Sequence, residues 1–284
     1  MGRTCRADER SPREGRADRA REVRTTAVPQ LPWRLTFDLA RREVERRYRG
    51  SLLGLGWVVL GPFLLLGIYT FVYSFVLGVK VPGQDRVGFV VWLYAGLTMF
   101  AFFSDVLTAM PPAIRNNPSY VKKLIFPLEA LIWARLLAAL FFFAVNTSLL
   151  VLFVLVTQRA VHVTLLLVPV LLVPIVLLAA GIGTALASLG VFVRDVDELI
   201  RPGLRVLFYA TPIAYPESLV PAGVRGLLRL NPLTGLVENY RRLVVFGTSP
   251  EWTTLASLVI CAALLLWAGD AIFHKLRPGF ADVI

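Results

Sequence analysis

The chain of 284 residues has little charge, little cysteine and little histidine, and each shortage excludes a class of protein. Charged residues make up 17% and hydrophobic residues 56%, a balance typical of an integral membrane protein rather than of a soluble domain. Cys5 lies in a polar tail and Cys261 in an apolar segment, so the chain has neither a disulfide framework nor a cysteine metal cluster. His162 and His274 have no acid or thiol cluster beside them, which argues against a metal or triad site.

Two further motifs are missing. The chain has no Gly-x-x-x-x-Gly-Lys phosphate loop, so we expect neither ATP hydrolysis by this chain nor a cofactor of its own. Residues 1–29 contain eight arginines and lack the apolar run of a signal peptide. We interpret them as a disordered basic cytoplasmic tail.

Long apolar segments are what the sequence does contain. They predict an all-α integral membrane protein with six transmembrane helices, at about 52–77, 89–110, 128–157, 163–193, 199–215 and 252–273. The loops on the side of the amino terminus are richer in lysine and arginine, which places both termini in the cytoplasm. The net charge of +11 is concentrated in residues 1–51. It therefore indicates contact with membrane lipids rather than with nucleic acid.

An arginine-rich helix is predicted at 32–50, before the first span. One narrow stripe of this helix is apolar and consists of Trp33, Phe37, Ala40, Val44 and Tyr48. Arg42, Arg46 and Arg49 lie opposite, and Leu53-Gly54 follows at the entrance to the membrane. Such a helix lies flat on a membrane. Its arginines either anchor the chain by the positive-inside rule or receive an anionic headgroup.

The loop at 111–127 contains a short basic helix. Asn117 can cap a helix that begins at Pro118 and contains Tyr120, Lys122 and Lys123. This helix at 118–125 is either a lever for a cytoplasmic partner or an interfacial turn between two spans.

Residues 217–250 contain two short helices that cannot span a bilayer. Asn231 precedes Pro232 as a cap, and an apolar stripe follows through Tyr240, with Arg241 beside it. The pair at 221–246 either dips into the outer leaflet as re-entrant helices that close a pore, or lies on the surface.

Several side chains inside the predicted spans are candidates for special contacts. Asp105 and Arg135 lie at similar depths, and we predict a structural ion pair between them. Small residues on the fourth span, among them Gly183, predict close packing on another helix. Four aromatic residues either line a channel or face the core and lipid: Tyr69, Tyr73, Phe100 and Phe103.

These motifs, in this order, resemble the permeases of the polysaccharide-exporting type-2 ABC transporters. The resemblance covers residues 31–284. It rests on Arg47-Tyr48-Arg49-Gly50-Ser51-Leu52-Leu53-Gly54 with Gly61-Pro62, on Asn117-Pro118 with Lys122-Lys123-Leu124-Ile125-Phe126-Pro127, on Phe192-Val193-Arg194-Asp195, on Asn231-Pro232-Leu233-Thr234 with Tyr240-Arg241, and on Phe280-Ala281-Asp282.

The resemblance implies a transmembrane domain over 30–284 in a bacterial plasma membrane. Two such chains would join two separate ATPase subunits, which bind ATP and Mg, and would export a lipid-linked glycan. The helix at 32–50 would be an interface helix, and Leu53-Gly54 would lie where the lipid pyrophosphate enters. Residues 118–125 would be the coupling helix, with Arg194 and Asp195 as a second ATPase contact, and 221–246 would be the outer gate.

Two other functions are compatible with parts of the pattern. A type-2 ABC exporter of drugs or lipids would share the six spans. A membrane-embedded glycosyltransferase acting on a lipid carrier would need interfacial acids, for which only Asp195 and Asp197 are available.

Overall fold

The structure is a computed structural model that describes residues 33–81, 85–121, 126–159 and 162–284. Within these ranges the chain is helical and contains no strand. The tail at 1–29, together with Lys122 and Lys123, lies outside the described residues. The helices are α1 Trp33–Tyr48, α2 Trp57–Thr70, α3 Arg86–Ala109, α4 Pro112–Arg115, α5 Pro118–Val121, α6 Glu129–Gln158, α7 Val168–Phe192, α8 Asp195–Tyr209, α9 Ala222–Leu230, α10 Pro232–Val244, α11 Trp252–Leu276 and α12 Phe280–Val283.

Five helical segments in the described part of the chain are long and apolar enough to cross a membrane. They are Trp57–Val76, in which α2 continues as a π-helix, then α3 and α6, then Val163–Phe192, in which a 3-10 turn precedes α7, and finally Trp252–Val283. Each overlaps a span predicted from the sequence. The prediction of an all-helical membrane protein is therefore confirmed.

The segment predicted as the span 199–215 has a different form. Its helix, α8, begins earlier, at Asp195, and ends at Tyr209. Fifteen residues of α-helix measure about 22 Å, which is shorter than a ~30 Å hydrocarbon core. The chain then turns irregularly through 210–216, where Thr211, Ile213 and Ala214 are all buried.

The core of the bundle depends on close contact between α7 and α11. Gly181 and Gly269 face each other across this contact, and a Cβ atom on Gly269 would overlap the carbonyl oxygen of Gly181. On α7, Gly183 leaves room for the side chain of Met110. The small-residue face predicted on the fourth span therefore packs against protein, as small residues in membrane helices do.

Ion pairs and hydrogen bonds identify the elements that lie together at each end of the bundle. At one end, called here the α1 end, Glu129 at the start of α6 pairs with Arg277 after α11, at 2.7 Å, and Arg115 pairs with Asp197 of α8. At the opposite end, called the α10 end, the Thr164 hydroxyl donates to the carbonyl oxygen of Leu243 at 2.7 Å. The chain from α8 to α10 therefore connects the two ends.

We expect Gly269→Leu to prevent assembly of the bundle, because the added side chain has no space between α7 and α11. The measurement is the yield and the thermal unfolding of the purified chain in detergent. Gly67→Leu is the matched control, since no atom lies within 4 Å of the corresponding Cβ position on α2. Equal yield and stability of the two variants would contradict the packing described.

Candidate functional site

A groove of about 880 Å³ lies between α1 and α6. Apolar side chains form its walls: Phe37, Ala40, Val44, Leu137, Ala138, Leu140 and Phe141. Arg41, Glu45 and Arg49 stand at its edge, and Gly54 lies at one end. Gly54 has a φ of 48°, a left-handed conformation that glycine adopts without strain, and it turns the chain from α1 towards α2. The groove therefore combines an apolar interior with a charged rim.

The helix α1 packs on α6 through part of its predicted apolar stripe, at Ala40, together with Thr36 beside it. Thr36 and Ala40 are buried, whereas the side chains of Trp33 and Phe37 are more than half exposed. The aromatic side chains are therefore available to lipid, as the prediction of a membrane-surface helix requires. Whether the helix contacts a membrane remains a prediction.

The three arginines expected to receive a headgroup have different surroundings. Arg46 pairs with Glu43 at 2.8 Å, whereas neither Arg42 nor Arg49 has an acidic partner within 4 Å among the described residues. Of the three, only Arg49 lines the groove. The structure therefore distinguishes Arg49 as the arginine best placed to meet a ligand there.

The predicted pair between Asp105 and Arg135 is wrong, because both side chains pair with α1 instead. Arg47 holds Asp105 with two hydrogen bonds of 2.9 and 3.2 Å. Glu43 accepts from Arg135 at 3.2 Å. Asp105 and Arg135 do face one small cavity, together with Arg47, but α1 supplies the opposite charges. Two ion pairs thus clamp α1 onto α3 and α6.

An aromatic cleft of about 490 Å³ lies between α2, α3 and α8. Tyr69 and Phe100 line it, and the ring of each lies 5.2 Å from that of Phe208. Tyr73 extends the cluster, with its ring 6.1 Å from that of Tyr69. Phe103, however, is 3% exposed and belongs to the core, which is the second of the two alternatives predicted for it.

The cleft also has a basic edge formed by Arg201 and Arg205 of α8. Periodicity could have identified Phe208, since α8 is strongly amphipathic and Leu204 and Phe208 share a face. The prediction from sequence does not include Phe208, because it treats 199–215 as one uniform membrane span.

The short helices at the α1 end form one connected surface. The helix α5 begins at Pro118, as predicted, and the Asn117 amide donates to the carbonyl oxygen of Ala113 at 2.8 Å. The Tyr120 ring stacks on Phe126 at 4.4 Å. The end of the predicted helix, with Lys122 and Lys123, lies outside the described residues.

The second predicted ATPase contact adjoins this surface. Arg194 is the residue before α8, and Asp195 is the first residue of that helix. Arg115 of α4 donates hydrogen bonds to Asp197 and to the carbonyl oxygen of Gly190. Among the described residues, no three His, Cys, Asp or Glu side chains are grouped to hold a metal ion. The Asp197 carboxylate is instead held by an arginine.

At the α10 end, a fully buried arginine joins three elements. Arg241 donates to the carbonyl oxygens of Pro212 at 2.8 Å, Ile213 at 2.7 Å and Trp92 at 3.2 Å. Its guanidinium also lies 3.4 Å from the ring centroid of Trp92 and bonds Glu238 at 2.7 Å. Arg241 thereby donates hydrogen bonds to the carbonyl groups of the irregular segment after α8, which have no partners within a helix.

The surroundings of Arg241 are fitted to it. A Cβ on Gly96 would lie 2.6 Å from the guanidinium, so only glycine leaves room at that position. Burial lowers the pKa of Arg241 to about 10 and Glu238 opposes the fall, so the guanidinium stays charged at neutral pH.

The other predicted gate residues reinforce the same junction. The Asn231 side chain accepts from the backbone N–H of Leu233 at 3.0 Å, and Pro232 is the first residue of α10, as predicted. The Asn231 amide also donates to the Thr211 hydroxyl at 2.8 Å. Tyr240 is fully buried and shares a 2.9 Å hydrogen bond with Thr147 of α6. Asn231, Tyr240 and Arg241 therefore fix α10 to its neighbours, and a gating role remains a prediction.

A bundle of membrane-length helices, with a groove between α1 and α6 and polar connections at both ends, is the architecture of a polytopic membrane protein. Residues 34–245 match the family described as ABC-2 type transporter, and the chain belongs to that family. It is a transport subunit rather than an enzyme, and permeases of this family work with a separate ATP-binding cassette subunit.

Three relatives match this chain over most of their own length and most of its length. The O-antigen export system permease protein RfbA of Klebsiella pneumoniae is 25% identical over 253 residues, which are 87% of this chain and 95% of the relative. The protein of that name from Myxococcus xanthus is 27% identical, over 88% of this chain and 95% of the relative. The polysialic acid transport protein KpsM of Escherichia coli is 26% identical, over 82% of this chain and 90% of the relative.

We expect Arg241→Lys to destabilise the α10 end, because one ammonium group cannot reach three carbonyl oxygens as the planar guanidinium does. Each lost charge-assisted hydrogen bond is worth about 2 kcal/mol. The thermal midpoint of the purified chain should therefore fall by about 5 °C or more. Arg242→Lys is the control: its side chain is 39% exposed and its ion pair with Glu251 tolerates lysine. Equal midpoints for the two variants would refute the anchoring role.

Exchanging charges tests the clamp on α1. Arg47→Asp and Asp105→Arg should each lower stability by about 1 kcal/mol, as expected for a partly exposed pair, and the double exchange should recover most of the loss. The comparison is the double variant Asp105→Arg with Arg135→Asp, which should not recover stability. Thermal unfolding of the four variants decides between the two pairings, and recovery in the second combination alone would reverse our assignment.

Proposed function

We propose that this chain is the permease subunit of an exporter that moves a lipid-linked polysaccharide across the bacterial plasma membrane. The observation that carries the proposal is the groove between α1 and α6. Its apolar walls fit acyl or polyprenyl chains, and Arg49 at its rim fits the phosphate groups that join such a lipid to a glycan. The printed names of the relatives, which are O-antigen and polysialic acid transport permeases, favour a polysaccharide cargo.

The topology that we propose has six crossings with both termini in the cytoplasm. Five candidate spans are complete by length. The segment 195–216 is proposed as the remaining crossing, since Asp197 bonds Arg115 at the α1 end while Pro212 and Ile213 bond Arg241 at the α10 end. Irregular backbone is acceptable at that depth because it is buried in protein. The α1 end would then be cytoplasmic.

The transport path that we propose runs along the aromatic cleft. Aromatic faces such as Tyr69, Phe100 and Phe208 pack against sugar rings through their C–H groups, and Arg201 and Arg205 supply donors at the cytoplasmic edge. Two copies of the chain, joined to two ATPase subunits, would place two such clefts around one channel. Pro118–Val121 and the start of α8 form the surface proposed for ATPase contact, and α9 with α10 would close the outer side.

The mechanism that we propose is mechanical coupling. ATP-driven closure of the ATPase subunits would press on α4, α5 and the start of α8, and α4 and α8 are already joined through Arg115 and Asp197. Movement of α8 would widen or narrow the cleft that it lines. In the clamp on α1, the pair of Arg47 with Asp105 is partly exposed and can be exchanged at low cost while the lipid enters beside Arg49. The second pair would keep α1 on α6, because its Arg135 is only 8% exposed.

The test is replacement of the groove arginine in cells that depend on this chain. Arg49→Gln should lower glycan export about tenfold, the value of one lost charge-assisted contact to phosphate, and lipid-linked glycan should accumulate in the cytoplasm. Arg34→Gln, an exposed arginine of α1 outside the groove, is the matched control. Mass spectrometry of extracted lipids measures the accumulation.

Co-purification of the ATPase with both variants verifies that assembly is intact. Normal export by Arg49→Gln would remove the groove from the mechanism. Accumulation of a lipid without sugar would point instead to a lipid exporter of the same family.

A further inference from the structure

The aromatic cleft between α2, α3 and α8 has two arginines and, among the described residues that line it, no acid. Arg201 and Arg205 are exposed and lie one helical turn apart on α8. Within the described ranges, no carboxylate oxygen lies within 4 Å of either guanidinium. Glu198, three residues before Arg201, does not line the cleft. Both positive charges are therefore available to a ligand in the cleft.

The position of these arginines along α8 makes their lack of an acidic partner informative. They follow Asp197, which Arg115 holds at the α1 end, by four and eight residues. At 1.5 Å per residue these steps are about 6 and 12 Å, so Arg205 lies inside the crossing proposed for 195–216. A charge inside a span is costly unless it is paired or faces a water-filled cavity, and such charges mark the paths of ions and substrates. We therefore expect the cleft to be hydrated.

The polar groups on the facing helix add to the hydrogen-bond donors. Ser104 and Thr108 of α3 line the cleft one turn apart, and neither hydroxyl is hydrogen-bonded within the described part of the chain. A hydroxyl donates to an anionic oxygen, as a guanidinium does. Two guanidinium groups and two hydroxyls without a carboxylate favour a ligand with negatively charged oxygens over a neutral one.

We infer that the glycan carried through this cleft is acidic, with negatively charged sugar units whose anionic groups contact Arg201 and Arg205. The rings of Phe100 and Phe208, 5.2 Å apart, lie in the same cleft and supply a surface on which sugar rings pack. If two copies of the chain line one channel, four arginines would face the repeated charges of the cargo. The inference rests on the proposed function, because it takes the cargo to be a glycan.

The phosphate of the lipid carrier is the other anion in the proposed transport cycle. It has a separate place at the groove beside Arg49, which shares no lining residue with the cleft. A phosphate also gains nothing from an aromatic surface, whereas the apolar face of a sugar packs on one. The combination of arginines with aromatic rings therefore favours an acidic sugar over the phosphate of the carrier.

Oligosaccharides that differ only in charge test the inference. The protein is the full chain with its ATPase subunit in nanodiscs of phosphatidylcholine, and titration calorimetry measures binding. The probes are tetragalacturonate and its fully methyl-esterified form, which has the same sugar rings without the charge. We expect the acid to bind at least tenfold more tightly than the ester. Inorganic pyrophosphate, which represents the phosphate of the carrier, should not displace the acid at equal concentration.

Substitution of the two arginines locates the binding. Arg201→Gln with Arg205→Gln should weaken binding of the acid about tenfold, or about 1.4 kcal/mol, as expected for two partly exposed ion pairs. Arg201→Lys with Arg205→Lys should weaken it less, because the charge remains. Arg34→Gln with Lys275→Gln is the matched control, since it removes the same charge from exposed positions outside the cleft and should leave binding unchanged.

Four results would overturn the inference. Equal binding of the acid and the ester to the unmodified complex would do so whether or not the variants fold. Displacement of the acid by pyrophosphate would assign the arginines to the carrier. Equal binding by the glutamine variant and its control would place the binding elsewhere. Loss of the dimer in the glutamine variant alone would assign the arginines to a contact between copies of the chain.

The proposed function has its own outcome in cells. Export of a neutral glycan that depends on this chain would show that only the inference about charge had failed. Normal glycan export by cells lacking the chain would instead refute the function.

Discussion

The structure depends on the guanidinium of Arg241, which is fully buried. A charge in apolar surroundings needs several oriented acceptors, and most carbonyl groups within helices are already bonded. Because the helix α8 ends before Pro212 and Ile213, their carbonyl groups have no partners within a helix, and Arg241 donates hydrogen bonds to both. The two irregular features therefore require each other: without Arg241 the broken backbone would be unsatisfied, and without the break the arginine would have too few partners.

The two ends of the bundle are consequently stabilised in different ways. At the α10 end, Arg241 and Tyr240 are fully buried, so separating α10 from its neighbours exposes polar groups to an apolar environment. At the α1 end, the pair between Arg47 and Asp105 is 47% and 33% exposed, and such pairs contribute little individually. The second pair of the clamp, between Arg135 and Glu43, is 8% and 27% exposed, so displacement of α1 would break one exposed pair and one largely buried pair.

Much of this fold follows from the sequence, because a bilayer imposes a length on apolar helices and a composition on their ends. Local rules also predicted the cap at Asn231 and the helix start at Pro118. The failures concern tertiary partners. Helical rise placed Asp105 and Arg135 at similar depths, but depth alone could not reveal that α1 reaches both. Hydropathy joined 199–215 into a span, because the residues that turn the chain after Tyr209 are themselves apolar.

The arginines illustrate why residue type alone does not determine a role. Arg46 and Arg47 lie in the last turn of α1 and Arg49 follows directly after it, yet one pairs with Glu43 on the same helix, one with Asp105 on α3, and one lines the groove. Their directions follow from the rotation of 100° per residue and from which face of α1 meets α6. Since Thr36 and Ala40 form that face, Trp33 and Phe37 are left outward. A helix with a protein face, a lipid face and a basic edge at the groove is suited to bring a lipid headgroup to the protein without moving it into the core.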